Sequence, residues 1–207
     1  MDVAIWSDYL CPWCYLGQRR ATRLAERHGA VVTWLPYELH PEIRDGGMTV
    51  ATAYGKGDDE VAARAMSRFA AMASVEGLPF AAPERVRPTR RAHQTALVVQ
   101  RQAPEGFESF HRDLFDAIWV RDDDIEDIGV LATLAGRHGA DTTEVERVLA
   151  RDELLPAIGA SMLSAVEWGV TGTPAYLFEG AFVLPGFQDE EVFDRIVDRL
   201  ANQSASS

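Results

Sequence analysis

Short apolar runs and a helical stripe alternate along the first forty residues. The uniformly apolar run at residues 3–6 predicts a strand buried on both faces. Residues 11–28 carry apolar side chains at helical spacing and end in a basic turn before Gly29, a residue suited to capping a helix. Residues 31–37 predict a second strand, which Pro36 places at a sheet edge because proline cannot donate to a ladder. A strand, helix and strand of this size predict a right-handed parallel crossover.

The middle of the chain has a different pattern, with no convincing strand from about residue 58 to residue 168. Glycines and prolines separate segments whose apolar residues recur every three or four positions. Such stripes, for example Met66, Phe69 and Met72, are typical of core packing. Helices are predicted over residues 59–75, 91–102, 107–119, 125–138, 143–150 and 154–168.

The strand pattern returns near the C-terminus. Residues 175–178 and 181–184 flank Glu179-Gly180 and predict a tight hairpin. Residues 189–200 predict an amphipathic helix, and the small polar residues 201–207 predict a frayed tail. The order β-α-β, helical block, β-β-α predicts an α/β thioredoxin fold with a large all-helical insertion. The thioredoxin-like domain then comprises residues 1–38 and 170–203, the insertion residues 39–169, and a flexible tail residues 204–207.

The net charge of the chain indicates which classes of macromolecule it can bind. The net charge of −12 argues against nucleic acid, which needs a basic surface. The acidic run at residues 122–127 is interpreted as a solvated loop that leads into a helix. A small basic group is interpreted as a solvated face, with an anion or acidic-substrate contact as the alternative. Its members are Arg85, Arg87, Arg90 and Arg91.

The sequence begins in a strand, without the pattern of a secretory signal, and it has no apolar run long enough to span a membrane. It also has only two cysteines. Together these features predict a cytoplasmic protein, in whose reducing compartment a disulfide is transient and catalytic.

The two cysteines, Cys11 and Cys14, lie at the junction between the first strand and the first helix. The free N–H groups and the dipole at a helix N-terminus favour a thiolate at Cys11. Pro12 fits the first helical position because its missing N–H costs nothing there. Cys14, one turn further along, is placed to close a disulfide with Cys11. The spacing therefore predicts a redox-active pair with a nucleophilic Cys11.

Two other interpretations of the cysteines are weaker. A zinc site needs about four ligands in recognisable spacing, whereas this chain has no second cysteine pair and its histidines are scattered. A purely structural disulfide closing so short a loop would remove little entropy from the unfolded chain. No metal site is therefore predicted.

Three segments carry a resemblance to a known family. The stretch Cys-Pro-Trp-Cys-Tyr-Leu-Gly at residues 11–17 resembles the active-site segment of the DsbA-like thioredoxin superfamily, and is most similar to its cytoplasmic FrnE-type branch of disulfide oxidoreductases or isomerases. The second segment is Gly-Val-Thr-Gly-Thr-Pro at residues 169–174, with Pro-Gly-Phe-Gln at residues 185–188 after the hairpin. A weaker third is Ala92-His93. The order of elements extends the resemblance over nearly the whole chain.

The resemblance implies a cis peptide bond between Thr173 and Pro174, facing the cysteines. The Thr173 backbone would then pair with an extended substrate. Exchange would pass through a mixed disulfide on Cys11, the outer and more exposed sulfur, which Cys14 resolves. Because Trp13 brings no positive charge between the cysteines, we expect a less oxidising couple than in relatives with histidine there.

Further residues are assigned to the surroundings of the cysteines. An apolar rim for unfolded chains is predicted from Trp13, Tyr9 and Phe187, while Trp6 is assigned to the core. Asp8 and His93 are candidates for proton transfer, although an exposed loop carboxylate and a structural histidine are the simpler interpretations. Residues 87–89, Arg-Pro-Thr, depart from the asparagine that the family places before Ala-His. The predicted substrate-binding residues are Trp13, Pro12, Thr173, Pro174, Tyr9 and Phe187.

Three functions remain open. The first is thiol–disulfide exchange with protein or small thiols. The second is a glutathione-dependent isomerase or transferase acting on small aromatic molecules, whose kappa-type members resemble this chain in the insertion but place serine where Cys11 stands. The third is a peptide-binding chaperone. No bound cofactor is predicted besides the redox-active disulfide. Glutathione is a candidate co-substrate, and a homodimer is a candidate assembly.

Overall fold

A four-stranded sheet organises the molecule, whose computed structural model describes residues 1–204. Its strands are β1 (Asp2–Ser7), β2 (Val31–Pro36), β5 (Ala175–Phe178) and β6 (Phe182–Pro185). The strand order is β2-β1-β5-β6, with β1 parallel to β2, antiparallel to β5, and β5 antiparallel to β6. The central position of the first strand and the edge position of the second are confirmed.

Helix α1 (Pro12–His28) connects β1 to β2 in the predicted parallel crossover. It begins directly after Cys11 and ends at Gly29, whose φ of 63° lies in the left-handed region that glycine adopts without strain. The buried face of α1 carries Cys14, Leu16 and Leu24. The cysteine pair is therefore fixed to the helix that packs against the sheet.

The long segment between β2 and β5 is mainly helical, which confirms a thioredoxin fold with a helical insertion. Its helices are α2 (Val50–Gly55), α3 (Asp59–Val75), α4 (Arg90–Gln102), α5 (Phe107–Trp119), α6 (Ile128–Arg137), α7 (Thr142–Arg151) and α8 (Leu155–Glu167). Most lie within three residues of the predicted bounds. Helix α6 starts later than predicted because Asp127 caps it, its carboxylate accepting the Val130 N–H at 3.0 Å.

The expectation of an all-helical insertion is wrong at one point. Two short strands, β3 (Met48–Thr49) and β4 (Arg85–Val86), pair antiparallel, and a 3₁₀ turn (Pro104–Gly106) precedes α5. Two-residue strands are too short to show an alternating pattern, so periodicity does not reveal them. Arg85 stabilises the pairing by donating to the carbonyl of Gly46 at 2.6 Å.

The C-terminal part follows the predicted hairpin and helix. Glu179 and Gly180 both have positive φ, as a tight hairpin turn requires. Helix α9 (Glu190–Ser204) is longer than predicted, so residues 201–204, expected in a frayed tail, are helical. The rest of that tail, residues 205–207, lies outside the described part of the chain.

The sheet separates two apolar layers. Val3 and Ile5 of β1 belong to the large core, which also contains the buried cysteines, whereas Trp6 packs with Ala165 of α8 on the other face. The alternation along β1 assigns Ser7 to the same face as Ile5. Among the described helices, none is long and apolar enough to cross a membrane.

Candidate active site

The two cysteines meet at the start of α1. Cys11 is the residue that precedes the helix, and its N–H donates to the Asp8 carbonyl at 3.1 Å. Its own carbonyl accepts the N–H of Cys14 at 3.0 Å. Both thiols are free, and both residues are buried, at 2% exposure for Cys11 and 0% for Cys14. Cys11 is therefore the more exposed of the two, as expected, but only by a small margin, because both are buried.

A loop from the far end of the chain covers Cys11. The Cys11 thiol donates to the carbonyl oxygen of Thr173 at 3.5 Å, although the two residues are 162 positions apart. The peptide bond between Thr173 and Pro174 is cis. The Thr173 hydroxyl is buried and has no hydrogen-bond partner among the described residues. Thr173 thus brings a carbonyl and an unused hydroxyl to the cysteines.

The surroundings move the pKa values of the two thiols in opposite directions. Burial acts to raise the pKa of Cys11, but hydrogen bonds to its thiolate from the Cys14 thiol and the Cys14 backbone, together with the effect of the neighbouring Thr173, lower it overall. For Cys14, burial is again the largest effect, and the shared hydrogen bond and the charge of Cys11 add to it, so its pKa is raised well above the ordinary value. Cys11 therefore ionises first.

An aromatic rim borders the cysteines. Trp13 is 37% exposed, and its ring centroid lies 4.7 Å from that of Phe69 and 5.9 Å from that of Phe187. We call Trp13, Phe69 and Phe187 the aromatic rim. Phe69 was assigned only to the core from its helical spacing, and its contact with Trp13 was missed because the two lie on different helices. Pro12, beside Trp13, is buried at the first position of α1.

Tyr9 does not belong to this rim, so the rim position predicted for it is wrong and its substrate contact stays a prediction. It is 3% exposed, and its hydroxyl lies 2.9 Å from Nδ1 of His111. The indole N–H of Trp119 donates to the Tyr9 carbonyl at 2.9 Å. These contacts hold Tyr9 in the core behind the cysteines. Trp6 is fully buried, as expected.

Asp8 is buried as well, and its interpretation as an exposed loop carboxylate is wrong. Its carboxylate accepts hydrogen bonds from the Thr89 hydroxyl at 2.6 Å and from the Leu39 N–H at 2.6 Å. Nε2 of His93 lies 3.2 Å from the same group. The structure therefore brings Asp8 and His93 together, directly before the cysteines. Thr89, in the segment that departs from the family pattern, was missed as a partner.

The four arginines of the basic group form hydrogen bonds within the protein. Each guanidinium contacts a carboxylate or a backbone carbonyl, which gives no support to an anion site, while Arg85 and Arg90 are exposed, as a solvated face requires. The contacts join Arg85 to Gly46 and Gly47, Arg87 to Asp122, Arg90 to Glu38, and Arg91 to the carbonyl of Glu126.

A buried ion pair between Arg20 and Glu76 lies next to Phe187 of the aromatic rim. Arg20 is 5% exposed, and its guanidinium donates to both carboxylate oxygens of Glu76 at 2.7 Å. Its Nε donates to the carbonyl of Gln188 at 3.0 Å, and the group lies 4.7 Å from the Phe187 ring centroid. Sequence reasoning missed Arg20, although its position four residues after Leu16 places it on the buried face of α1.

No cluster of three or more histidine, cysteine, aspartate or glutamate residues suited to a metal ion is found in the described part of the chain.

Three proteins of known structure are similar to this chain over most of its length. A protein named probable DsbA oxidoreductase, from Streptomyces coelicolor, superposes with a TM-score of 0.85 at 26% identity, over 96% of this chain and 89% of its own. A 2-hydroxychromene-2-carboxylate isomerase gives 0.79 at 21% identity, covering 100% and 98%. The cytosolic disulfide reductase DsbM from Pseudomonas aeruginosa gives 0.69 at 17% identity, covering 100% of both chains, and its complex with GSH gives 0.68.

The sequence itself matches a family over almost its whole length. The family model of the DSBA-like thioredoxin domain covers residues 2–198, which include both cysteines, Thr173 and the entire insertion. The protein therefore belongs to the family of DsbA-like thioredoxin domains.

Proposed function

We propose that this protein is a thiol–disulfide oxidoreductase that exchanges disulfides with protein or small thiol substrates through Cys11 and Cys14. The observation that carries the proposal is the placement of two free thiols at the start of α1 beside Thr173, where the surroundings lower the pKa of Cys11 and raise that of Cys14. Because Cys11 ionises before Cys14, Cys11 would act as the nucleophile and Cys14 as the resolving residue.

The reaction is a pair of sulfur displacements. In the reducing direction the Cys11 thiolate attacks a substrate disulfide, a Cys11–substrate bond forms, and one substrate thiolate leaves. Cys14 then loses its proton and attacks the sulfur of Cys11. The second substrate thiolate leaves, the enzyme holds the Cys11–Cys14 disulfide, and two electrons have passed to the substrate. Oxidation of a substrate dithiol is the reverse sequence.

Substrate contacts follow from the residues around Cys11. Backbone groups at Thr173 lie next to the reacting sulfur and would pair with an extended peptide, as sheet edges do in other peptide complexes. The aromatic rim would contact apolar side chains on either side of the substrate cysteine. This arrangement favours unfolded or extended protein substrates.

The physiological setting is also a proposal. The chain resembles a protein named as a cytosolic disulfide reductase, one of whose structures contains GSH. We therefore propose a cytoplasmic location, membership of the FrnE-type branch, and glutathione as a co-substrate that reduces the enzyme disulfide. Neither the homodimer nor isomerase activity is needed for this chemistry, and both stay predictions.

Reduction and refolding assays on the wild type, Cys11→Ser and Cys14→Ser test the proposal. Cys11→Ser should abolish exchange, and Cys14→Ser should accumulate mixed disulfides that a reducing gel resolves. Turnover of a glutathione-linked aromatic substrate without exchange of protein disulfides would favour an isomerase or transferase instead. Client holding that survives both substitutions, again without exchange, would favour a chaperone.

A further inference from the structure

Gly17 lies in the interior of helix α1, one turn after Cys14. A glycine inside a helix lowers stability relative to alanine, because glycine loses more backbone freedom when the chain folds. Gly17 is also buried, so it does not serve as an exposed hinge. The reason for a glycine at this position therefore lies in what packs against the helix.

The residues opposite Gly17 leave no room for a side chain. A β-carbon added to Gly17 would lie 2.7 Å from the hydroxyl oxygen of Tyr176 and 3.4 Å from Cγ of Pro174. The first distance is well inside van der Waals contact, and the second is at its lower limit. The Tyr176 hydroxyl thus takes the space that a side chain on residue 17 would fill.

Both neighbours are held in place by contacts of their own. Tyr176 is fully buried in β5, where it pairs with Ile5 of β1, and its ring packs edge-on against that of Phe193 with centroids 4.9 Å apart. Pro174 is tied to the end of β6, because its carbonyl accepts the N–H of Gly186 at 2.7 Å. A larger residue in α1 would therefore displace the start of β5 together with the loop before it.

That displacement would carry Thr173 with it. Thr173 directly precedes Pro174, and its carbonyl oxygen lies 3.5 Å from the sulfur of Cys11. Cys11 in turn directly precedes α1, the helix that contains Gly17. The packing of Pro174 and Tyr176 on Gly17 thus sets the separation of Thr173 and Cys11.

We propose that Gly17 is a positioning residue, whose missing side chain lets the loop of Thr173 and Pro174 approach α1 closely enough to align an extended peptide with the sulfur of Cys11. Gly17 acts through Thr173 and takes no direct part in the exchange. The alignment of a peptide rests on the proposed function, whereas the packing of Tyr176 on Gly17 does not.

Two disulfides that differ in their backbone test the alignment. One is an extended peptide whose single cysteine forms a mixed disulfide with thionitrobenzoate, and the other is dithionitrobenzoate, an aromatic disulfide without a peptide backbone. In a Cys14→Ser background, the Cys11 thiolate attacks the peptide sulfur, a Cys11–peptide disulfide forms, and coloured thionitrobenzoate leaves. Attack on dithionitrobenzoate releases the same coloured product, so one measurement serves both substrates.

Gly17→Ala should affect the two substrates differently. We expect it to lower the second-order rate constant for the peptide by about 10- to 100-fold, as misalignment by about 1 Å can, and to change that for dithionitrobenzoate by less than about threefold. A merely structural role would slow both substrates alike.

Gly159→Ala is the matched control. Gly159 also lies inside a helix, α8, but it is exposed, and an added β-carbon would meet no other part of the chain within 4 Å. This variant should leave both rates unchanged and raise the folding equilibrium constant about threefold, through helix propensity alone. Gly17→Ala gains the same propensity but should lower the midpoint of urea unfolding, because the new methyl group meets Tyr176.

Removal of the Tyr176 hydroxyl provides a rescue. This hydroxyl is buried and has no hydrogen-bond partner among the described residues, so Tyr176→Phe by itself should not lower the urea midpoint. In the double variant, Gly17→Ala with Tyr176→Phe, the space left by the oxygen accommodates the methyl group. The urea midpoint and the peptide rate should then both return toward the wild-type values. If Gly17→Ala alone does not fold, recovery of folding and of the peptide rate in the double variant decides the question.

An unchanged peptide rate in Gly17→Ala, equal slowing of both substrates, or a double variant without recovery would overturn the proposal. The coupling between residues 17 and 176 in urea unfolding is measured without any substrate. If the wild type does not exchange protein disulfides, the proposed function fails, while the packing of Tyr176 on Gly17 still stands or falls on that coupling. The two failures are thereby distinguished.

Discussion

The sulfur of Cys11 lies 3.5 Å from the carbonyl oxygen of Thr173, a residue 162 positions later in the chain. The contact joins the start of α1 to the loop before β5, which the antiparallel pairing of β1 with β5 brings alongside. It completes the burial of the cysteines and places groups of Thr173 next to the sulfur that ionises first. The reactivity of Cys11 therefore depends on both ends of the sequence.

The first prediction concerns the ionisation of Cys11. Because hydrogen bonds to its thiolate outweigh burial, its alkylation by iodoacetamide should rise with a midpoint below pH 9.0, the ordinary value for a thiol. Cys14→Ala removes a donor and should move the midpoint upward. Cys14→Ser keeps a hydroxyl donor and should move it less. Mass spectrometry of the modified residue measures the rates, and equal midpoints in all three proteins would contradict the assignment of Cys14 as a donor.

The second prediction concerns the residue between the cysteines. Trp13 packs on Phe69 and Phe187 and brings no positive charge to Cys11. Trp13→His would add a group that stabilises the reduced thiolate, so the reduction potential should rise by about 30 mV, a tenfold change in the equilibrium constant. Equilibration with glutathione buffers measures it. Trp13→Phe, which adds no donor, is the control, and a potential that falls or stays constant in Trp13→His would refute the argument.

The third prediction concerns Asp8. The two carboxylate oxygens of Asp8 accept from the Thr89 hydroxyl and from the Leu39 N–H, and Asp8→Asn replaces one of these oxygens by an amide donor and removes the charge, so it should lower the free energy of unfolding by about 3 kcal/mol. Since the Asp8 charge also raises the pKa of Cys11, the alkylation midpoint should fall. Urea unfolding and alkylation measure the two effects. The exposed Asp45→Asn is the control, and comparable stability in both variants would show that the buried contacts matter little.

The fourth prediction concerns Arg20. Arg20→Ala leaves the carboxylate of Glu76, only 12% exposed, without its main partner, and should lower the free energy of unfolding by about 3 kcal/mol. Arg20→Lys should not restore stability fully, because an ammonium cannot make both contacts to Glu76 in the same plane. Arg64→Ala breaks an exposed pair with Glu60 and should cost less than about 1 kcal/mol. Equal losses in Arg20→Ala and Arg64→Ala would exclude a special role for burial.

Local sequence patterns predicted much of the fold. The helices α3 and α5 begin and end where their apolar spacing predicts, because regular spacing, caps and flanking glycines act within a few residues. The ladder of β3 and β4 was missed because each strand is only two residues long and is stabilised by contacts between distant segments. Tyr9 and Asp8 were misplaced for a related reason. Their burial depends on α4 and α5, which pack over the loop before Cys11.

The sequence by itself determined the order of the strands in the main sheet and of the long helices, the cysteine pair at a helix N-terminus and the family. These follow from short-range spacing and from residue chemistry. Only the tertiary structure decided that Cys11 is buried, that Asp8 meets His93 and Thr89, and that Gly17 lies opposite Tyr176. Such contacts depend on how helices and strands pack across the sheet. The spacing of apolar residues fixes which face is buried, but leaves open which side chain from another element lies opposite.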